Sequence, residues 1–127
     1  MEKALVHAAL PGRILISSLF IIAGLNKLTS YEATGGYMDA MGVPGALLPL
    51  VILLEIFGGL LVIIGWNTRL TAVALALFCF TSGILFHYDL SDQTQMTMLM
   101  KNFAIAGGFL LLAANGPGTF AIDTKGE

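Results

Sequence analysis

Cysteine and charge are the two scarcest features of this 127-residue sequence. There is one cysteine, Cys79, so an internal disulfide or a dithiol pair is excluded. Charged residues make up 11% of the chain, whereas a soluble domain usually contains about 25%. The net charge is −2 and no basic run occurs, which argues against nucleic-acid binding.

Recognisable cofactor and metal motifs are also missing from the sequence. The histidines His7 and His87 lie far apart, and the chain has no metal-ligand spacing, phosphate-binding loop or dinucleotide-binding glycine pattern. Met96, Met98 and Met100 lack accompanying histidine or cysteine ligands, so they indicate packing and not copper binding. We therefore predict no metal site and find no evident cofactor site.

Apolar residues are what the sequence has in excess. They make up 57% of the chain, and the mean hydropathy is +0.87. A soluble protein of this size has too little interior to bury so much apolar surface, so the excess must face lipid. The composition therefore predicts an integral membrane protein whose main partner is the lipid bilayer.

Long apolar stretches organise the chain into helices. Each has roughly the 17–25 residues that an α-helix needs to cross a bilayer. The first lacks the basic segment and cleavage site of a signal peptide, so we interpret it as a retained helix. The sequence predicts an all-α bundle of four transmembrane helices in one domain, residues 1–127, with a short interfacial helix near Tyr37–Met41. The predicted transmembrane helices cover about residues 11–28, 46–64, 70–87 and 96–114.

The placement of lysine and arginine predicts the orientation in the membrane. Cytoplasmic segments of membrane proteins carry an excess of these residues. Two of them, Lys27 and Lys101, lie near one side of the predicted bundle, and four lie near the other side. The four are Lys3, Arg13, Arg69 and Lys125. We therefore predict that both termini are cytoplasmic, and we call this the inner end and the opposite one the outer end.

Glu55 is the most informative polar residue because it falls in the middle of the second predicted helix. An ionisable group in hydrocarbon is unfavourable and usually faces the interior of a bundle. At ~1.5 Å per residue, Glu55 lies roughly 12–14 Å below the outer boundary, Lys101 about 7 Å, and Lys27 and His87 within about 3 Å. Side chains lean toward the N-terminus of their helix, so Lys27 and Glu55, on antiparallel helices, point toward each other.

These positions predict a coupled Lys27–Glu55 pair within a polar pocket in the outer half of the bundle. The candidate pocket residues are Lys27, Glu55, His87, Lys101, Asn26 and Asn102. Each predicted helix also carries a stripe that combines small and polar residues, which favours close packing of membrane helices. The stripes are Arg13, Ser17, Phe20, Gly24 and Lys27; Glu55, Gly58, Gly59 and Val62; Ala72, Ala76, Cys79, Gly83 and His87; and Lys101, Ala104, Gly108, Leu112 and Asn115. We expect all four stripes to face the interior.

Simpler explanations exist for several of these residues. Lys27 and Lys101 could reach the surface by snorkelling, and His87 could be an ordinary interfacial residue. We interpret Arg13 as an anchor at the cytoplasmic interface. Cys79 indicates packing, since buried cysteines are usually inert. A purely structural ion pair is the alternative to a functional one.

A set of segments in a specific order and spacing extends over nearly the whole chain. They are Gly12-Arg13-Ile14-Leu15, Phe20 through Lys27, Tyr37 through Pro44, Leu53 through Gly59, Gly65 through Arg69, Phe86-His87, Met100-Lys101-Asn102 and Asn115 through Gly118. No single segment is diagnostic, but together they resemble the DoxX family of small bacterial membrane proteins. This resemblance implies a four-helix, multi-pass protein of the bacterial inner membrane. It also implies a link to redox chemistry, because the family is named for its similarity to a subunit of thiosulfate:quinone oxidoreductase, but it supplies no agreed catalytic residues.

Three functions are compatible with the sequence. The first is a membrane component of a quinone- or thiol-linked redox system, in which Glu55 and His87 exchange protons and Lys27 stabilises a quinol anion. Such a system needs a diffusible reductant or a redox partner protein. The second is a non-catalytic scaffold that docks a partner protein through its outer loops. The third is a carrier for a small metabolite or ion, which with four helices would act as a homo-oligomer.

Overall fold

The computed structural model describes residues 5–124 of the chain. This part contains five complete α-helices, and four of its helical segments are long and apolar enough to cross a membrane. The helices are α1 (Ala9–Thr29), α2 (Tyr31–Ala40), α3 (Leu48–Ile64), α4 (Thr68–His87) and α5 (Gln93–Asn115). The predicted all-α architecture with four membrane-spanning helices is confirmed.

The starts of the spanning helices differ by two or three residues from the predicted ones. The largest difference is at α5, which begins at Gln93 and not near residue 96. The Asp92 carboxylate accepts hydrogen bonds from the backbone N–H groups of Thr94, at 2.9 Å, and Gln95, at 3.4 Å. A side chain that caps free N–H groups in this way stabilises the first turn, so the helix extends into polar sequence.

The interfacial helix α2 is longer than the predicted segment Tyr37–Met41, because it begins at Tyr31 directly after α1. Its Met38 side chain is buried, and the Tyr37 ring stacks on Phe86 of α4 with centroids 5.6 Å apart. These tertiary contacts stabilise a helix whose two adjacent glycines give it low intrinsic propensity. α2 therefore lies across the outer end of the bundle.

The spanning helices pack as two antiparallel pairs, α1 with α3 and α4 with α5, and α3 joins the pairs by packing on α4. α1 and α5 meet deep in the bundle, where the rings of Phe20 and Phe109 make an edge-to-face contact with centroids 5.4 Å apart. Around this contact lies the main apolar core, which includes Val62, Leu75 and Ala76. The core closes the inner half of the bundle.

The predicted interior stripes are correct on α1, α3 and α4. All their residues are buried except Lys27 and His87, which are half-buried. The stripe predicted on α5 is wrong, because Lys101, Ala104 and Asn115 are exposed. The buried residues of α5 are Leu99, Ala106 and Phe109. Apolar residues occur on every side of α5, so the sequence pattern does not mark its interior face.

Candidate functional site

A cavity of about 500 Å³ lies in the outer half of the bundle, between the α1–α3 pair and the α4–α5 pair. Side chains from all five helices line it, and most are apolar, such as Val51, Phe78 and Ile105. Tyr37 of α2 lines its outer end. A cavity of this volume with apolar walls is typical of sites that bind small organic molecules.

Lys27 and Glu55 form a buried ion pair on the cavity wall. Nζ of Lys27 lies 2.8 Å from Oε1 of Glu55 and donates a hydrogen bond of 3.2 Å to Oε2. The Glu55 side chain is 4% exposed and that of Lys27 is 29% exposed. The contact at Oε1 is an ion-pair contact without hydrogen-bond alignment, so this oxygen keeps its capacity to accept a proton or a hydrogen bond. Without its partner, either charge would be buried and uncompensated at this depth.

Gly24 allows α1 and α3 to come close enough for this pair to form. A Cβ at position 24 would lie 2.6 Å from Cγ1 of Ile56 and 3.3 Å from Cβ of Glu55. The first distance is shorter than real contacts of this kind, so a larger residue would push the helices apart. Small residues have this role wherever membrane helices cross closely.

His87 occupies the last position of α4 and lines the cavity. Its Nδ1 lies 2.8 Å from the amide oxygen Oε1 of Gln95 in α5. In the tautomer with the proton on Nδ1, this nitrogen donates to the amide oxygen and Nε2 is left as an acceptor. The contact thus orients an imidazole at the cavity wall with one basic nitrogen available.

Asn102 of α5 links the two helices on the opposite wall. Its Nδ2 donates hydrogen bonds to the backbone oxygen of Cys79, at 3.2 Å, and to Oγ of Ser82, at 3.3 Å. Cys79 is buried and lines the cavity beside this link. These contacts fix the register of α4 against α5 at the depth of the cavity.

The cavity brings together five of the six predicted pocket residues. They are Lys27, Glu55, His87, Lys101 and Asn102. Lys101 lies at the exposed edge, and its ammonium makes no hydrogen bond within the described part of the chain. Asn26 does not line the cavity, because its side chain lies on the exposed face of α1. Adjacent residues of a helix are about 100° apart, so being next to Lys27 does not bring Asn26 to the same face.

The contribution of α2 to this site was not predicted from the sequence. Thr34, Tyr37 and Met38 of α2 all line the cavity. The adjacent Gly35 and Gly36 favoured a loop at this point, and only the aromatic and methionine residues that follow them indicated a helix. Gln95 was missed for a similar reason, because it was assigned to a polar loop and not to the first turn of α5.

Arg13 is not the interfacial anchor that the sequence suggested. Its side chain is 2% exposed, and its guanidinium donates to four backbone carbonyl oxygens at the inner end of the bundle. The acceptors are Val62 at 3.3 Å, Ile63 at 2.6 Å, Thr119 at 2.6 Å and Phe120 at 2.9 Å. Arg13 therefore joins the end of α3, whose last carbonyls have no partner within the helix, to the segment that follows α5.

That segment folds back across the inner end. Asp123 accepts hydrogen bonds from the backbone N–H groups of Asn67, at 2.8 Å, and Thr68, at 2.7 Å, at the start of α4. Loss of hydration raises the pKa of the Asp123 carboxyl, but the N–H groups of Thr68 and Asn67 and the charge of Arg13 outweigh it, so the pKa lies below its usual range. The backbone N–H of Asp123 also donates a hydrogen bond to the backbone oxygen of Gly65 at 2.8 Å. The inner end is thus closed by hydrogen bonds that join the Arg13 and Asp123 side chains and the Asp123 N–H to backbone groups of other segments.

Comparison with known proteins identifies the family. The DoxX family model matches residues 8–88, a range that contains Lys27, Glu55 and His87. The chain belongs to the DoxX family. Among DoxX-like relatives, inner membrane protein YqjF of Escherichia coli (strain K12) is 50% identical over 123 residues, which cover 97% of this chain and 95% of that protein. Inner membrane protein YphA of the same organism is 32% identical over 120 residues, covering 89% and 86%.

A third relative carries a name that refers to chemistry. It is the Bacillus subtilis (strain 168) protein named "Putative oxidoreductase CatD", which is 30% identical over 77 residues, or 61% of this chain and 58% of that protein. No solved structure matches this chain. The family, the inner-membrane relatives and the four spanning helices make this DoxX protein a multi-pass protein of the inner membrane.

Proposed function

We propose that this DoxX protein is the membrane component of a quinone-linked redox system and binds the quinone head group beside Lys27 and Glu55. The observation that carries the proposal is a buried ion pair on the wall of an apolar cavity of about 500 Å³. Burial of an ion pair has a large desolvation cost, and apolar packing of similar volume is often as stable. An ion pair with a purely structural role has no need of a cavity beside it. A binding site needs both the cavity and polar groups on its wall.

The polar groups on the cavity wall fit a quinone or quinol head group. The Lys27 ammonium has three donors, and within residues 5–124 its hydrogen bonding is confined to Glu55, so it can also donate to a quinone carbonyl. Nε2 of His87 can accept from a quinol hydroxyl. The apolar wall suits an uncharged ring, and the name of the Bacillus subtilis relative refers to redox chemistry.

Reduction of a quinone to a quinol takes up two electrons and two protons. Glu55 and His87 are the groups on the wall that can exchange protons with the head group. The electrons would come from a thiol substrate or a reduced partner protein, because the single cysteine of the chain, Cys79, cannot form a dithiol couple. The proposed role of this chain is thus to bind the quinone and to handle its protons.

Quinone binding by the purified protein in nanodiscs tests this function. A ubiquinone analogue should bind saturably with one molecule per chain, as measured by native mass spectrometry. Glu55→Gln and Lys27→Met should each weaken binding about tenfold or more, because each removes a charged hydrogen-bonding group. Glu32→Gln is a matched control, since Glu32 is an exposed carboxylate outside the cavity.

The alternatives give different results in the same experiment. Absence of binding to the wild-type protein, or equal weakening by Glu32→Gln, would contradict the proposal. Co-purification of one stoichiometric protein without a bound quinone would favour a scaffold. Solute flux in proteoliposomes that depends on Glu55 would favour a carrier.

A further inference from the structure

The cavity has a mouth on the side of the bundle where α1 and α5 face each other. Leu19 of α1 is 50% exposed and Met98 of α5 is 40% exposed, yet both line the cavity. Lys101 of α5 is likewise both exposed and cavity-lining. Residues that line a cavity and are also exposed mark its opening. The opening therefore lies between α1 and α5, and it reaches upward to Tyr37, which is exposed at the outer interface.

Below this mouth the two helices are in contact. The Phe20 and Phe109 rings meet there, and Cδ1 of Ile16 would lie 2.9 Å from a Cβ at Gly108. These contacts close the deeper half of the interface between α1 and α5. The cleft is thus confined to the outer half, at the depth of the Lys27–Glu55 pair.

The depth of the mouth places much of it in hydrocarbon. Leu19 lies ten residues before the end of α1 at Thr29, which corresponds to ~15 Å below the outer boundary at ~1.5 Å per residue. Met98 lies five residues after the start of α5, which corresponds to ~7 Å. A polar solute cannot pass through hydrocarbon at such depths without losing its hydration. The lower part of the mouth therefore admits only lipid-soluble groups.

We propose that this mouth is a lateral route from the outer leaflet and a binding site for the single apolar chain of a neutral-headed amphiphile. The Lys27–Glu55 pair has no net charge, and the Lys101 ammonium lies at the exposed edge of the mouth, where a lysine extends toward the interface, so a neutral hydrogen-bonding head fits beside the pair. The wall beside the mouth contains Met98, whose flexible unbranched side chain adapts to a chain in the cleft. The position of the head rests on the proposed function, but the route and the chain site do not.

The native cysteine gives a test that does not depend on quinone binding. Cys79 lines the cavity on α4, away from the mouth, and it is the single thiol of the chain. In liposomes at mildly alkaline pH, where more thiolate forms, a long-chain N-alkyl maleimide dissolved in the bilayer should alkylate Cys79 slowly. Leu19→Trp places a larger side chain in the mouth and should slow this reaction about tenfold or more. Association rates among variants of one site vary over about one to three orders of magnitude. Leu15→Trp is the matched control, because Leu15 is 74% exposed on the same side of α1 and lies outside the cavity lining.

The proposal fails if both tryptophan variants react as fast as the wild type, or if a membrane-impermeant sulfonated maleimide reacts faster than the lipid-dissolved one. A second reporter, Ser82→Cys with Cys79→Ala, covers slow reaction at Cys79, since Ser82 lines the same wall. Failure of both reporters to react overturns the route. Labelling that is blocked at high protein density and regained on dilution assigns the cleft to a second copy of the chain, which also overturns the proposal. Quinone binding without any effect of Leu19→Trp would leave the proposed function intact and refute only the lateral route.

Discussion

At the inner end of the bundle, the guanidinium of Arg13 is surrounded by four carbonyl oxygens and by protein on all sides. At the outer end, the Lys27 ammonium has one carboxylate partner and borders a cavity. Both cations lie on the same stripe of α1, so the sequence makes them look alike. Their surroundings differ because the segment after α5 folds over the inner end, whereas α1 and α5 separate toward the outer end.

This difference separates a structural cation from a candidate functional one. A cation such as Arg13, whose two terminal nitrogens each donate to two backbone oxygens, contributes to stability and has little left for a ligand. A half-exposed cation with one partner keeps donors available for a ligand at some cost in stability. The comparison predicts that variants at the inner end affect folding most, whereas variants at the outer end affect ligand binding more than folding.

Arg13→Ala should have the largest effect on stability, because the buried carbonyls at the inner end lose their donor. Each buried acceptor left unpaired costs about 1–3 kcal/mol, and polar contacts within membranes are often worth about 1 kcal/mol, so a loss of about 3 kcal/mol or more is expected. Arg13→Lys should be intermediate, since an ammonium lacks the planar fork that reaches several acceptors. Thermal unfolding in detergent measures both. If Arg13→Ala left Tm unchanged and abolished ligand binding, the inner end would be the functional end of the bundle, contrary to this comparison.

The next largest effect is expected at the ion pair. Glu55→Ala should be more harmful than Glu55→Gln, because the alanine leaves Lys27 without a polar partner. Removal of one partner of a buried pair costs ~3–5 kcal/mol in soluble proteins, and membrane values are closer to about 1 kcal/mol. Glu55→Ala combined with Lys27→Ala should be milder than the sum of the single changes.

Stability and quinone binding should be followed together in this double-mutant cycle. Loss of binding without loss of fold indicates a functional site, and loss of both indicates a structural one. Strictly additive effects of the two changes would show that the pair is not coupled.

Gly24→Ala should change both stability and quinone binding, with an effect on stability similar in size to that of the ion-pair variants. The added methyl group would clash with Ile56 and move α3 away from α1, at a cost of about 1–3 kcal/mol for overpacking. Gly107→Ala is the matched control, since within residues 5–124 a Cβ at that position of α5 has no atom within 4 Å apart from its chain neighbours and its own helix backbone. Equal Tm changes in the two variants would show that close approach at Gly24 is unimportant.

Asp123→Asn should weaken the inner end in a pH-dependent way. The pKa of Asp123 is lowered in the folded state, so its contribution is complete above the unfolded value of about 3.9 and is lost as the pH falls through the lower folded value. The Tm difference between wild type and variant should therefore be present near neutral pH and shrink below about pH 4. A difference that grows on acidification would contradict the hydrogen-bonding role of this carboxylate.

Cys79→Ala and Cys79→Ser should have the smallest effect on function, because the residue packs between α4 and its neighbours and has no second cysteine to react with. The change in stability should remain near about 1 kcal/mol, as for other small deletions in a core. Loss of activity in a variant that still folds in the membrane would contradict this prediction and would show that the Cys79 thiol takes part in the chemistry.

The residues of α1 show how far sequence reasoning extends and where it stops. The spacing from Arg13 to Lys27 placed both on the buried side of the helix, because helical periodicity is a local property. The lean of the side chains placed Lys27 opposite Glu55, since α1 and α3 are antiparallel neighbours. The partners of Arg13 could not be found in this way, because they are backbone carbonyls more than forty residues away and leave no pattern in the sequence.

The sequence by itself determined the membrane location, the number of spanning helices and the interior faces of α1, α3 and α4. These follow from how much apolar surface the chain must place in lipid and where small and polar residues interrupt it. Only the tertiary structure decided which face of α5 is buried, that α2 lies across the outer end, and that a cleft opens between α1 and α5. In lipid every face of an apolar helix is equally well solvated, so hydropathy alone cannot select the packed one, and shape complementarity between helices makes that choice.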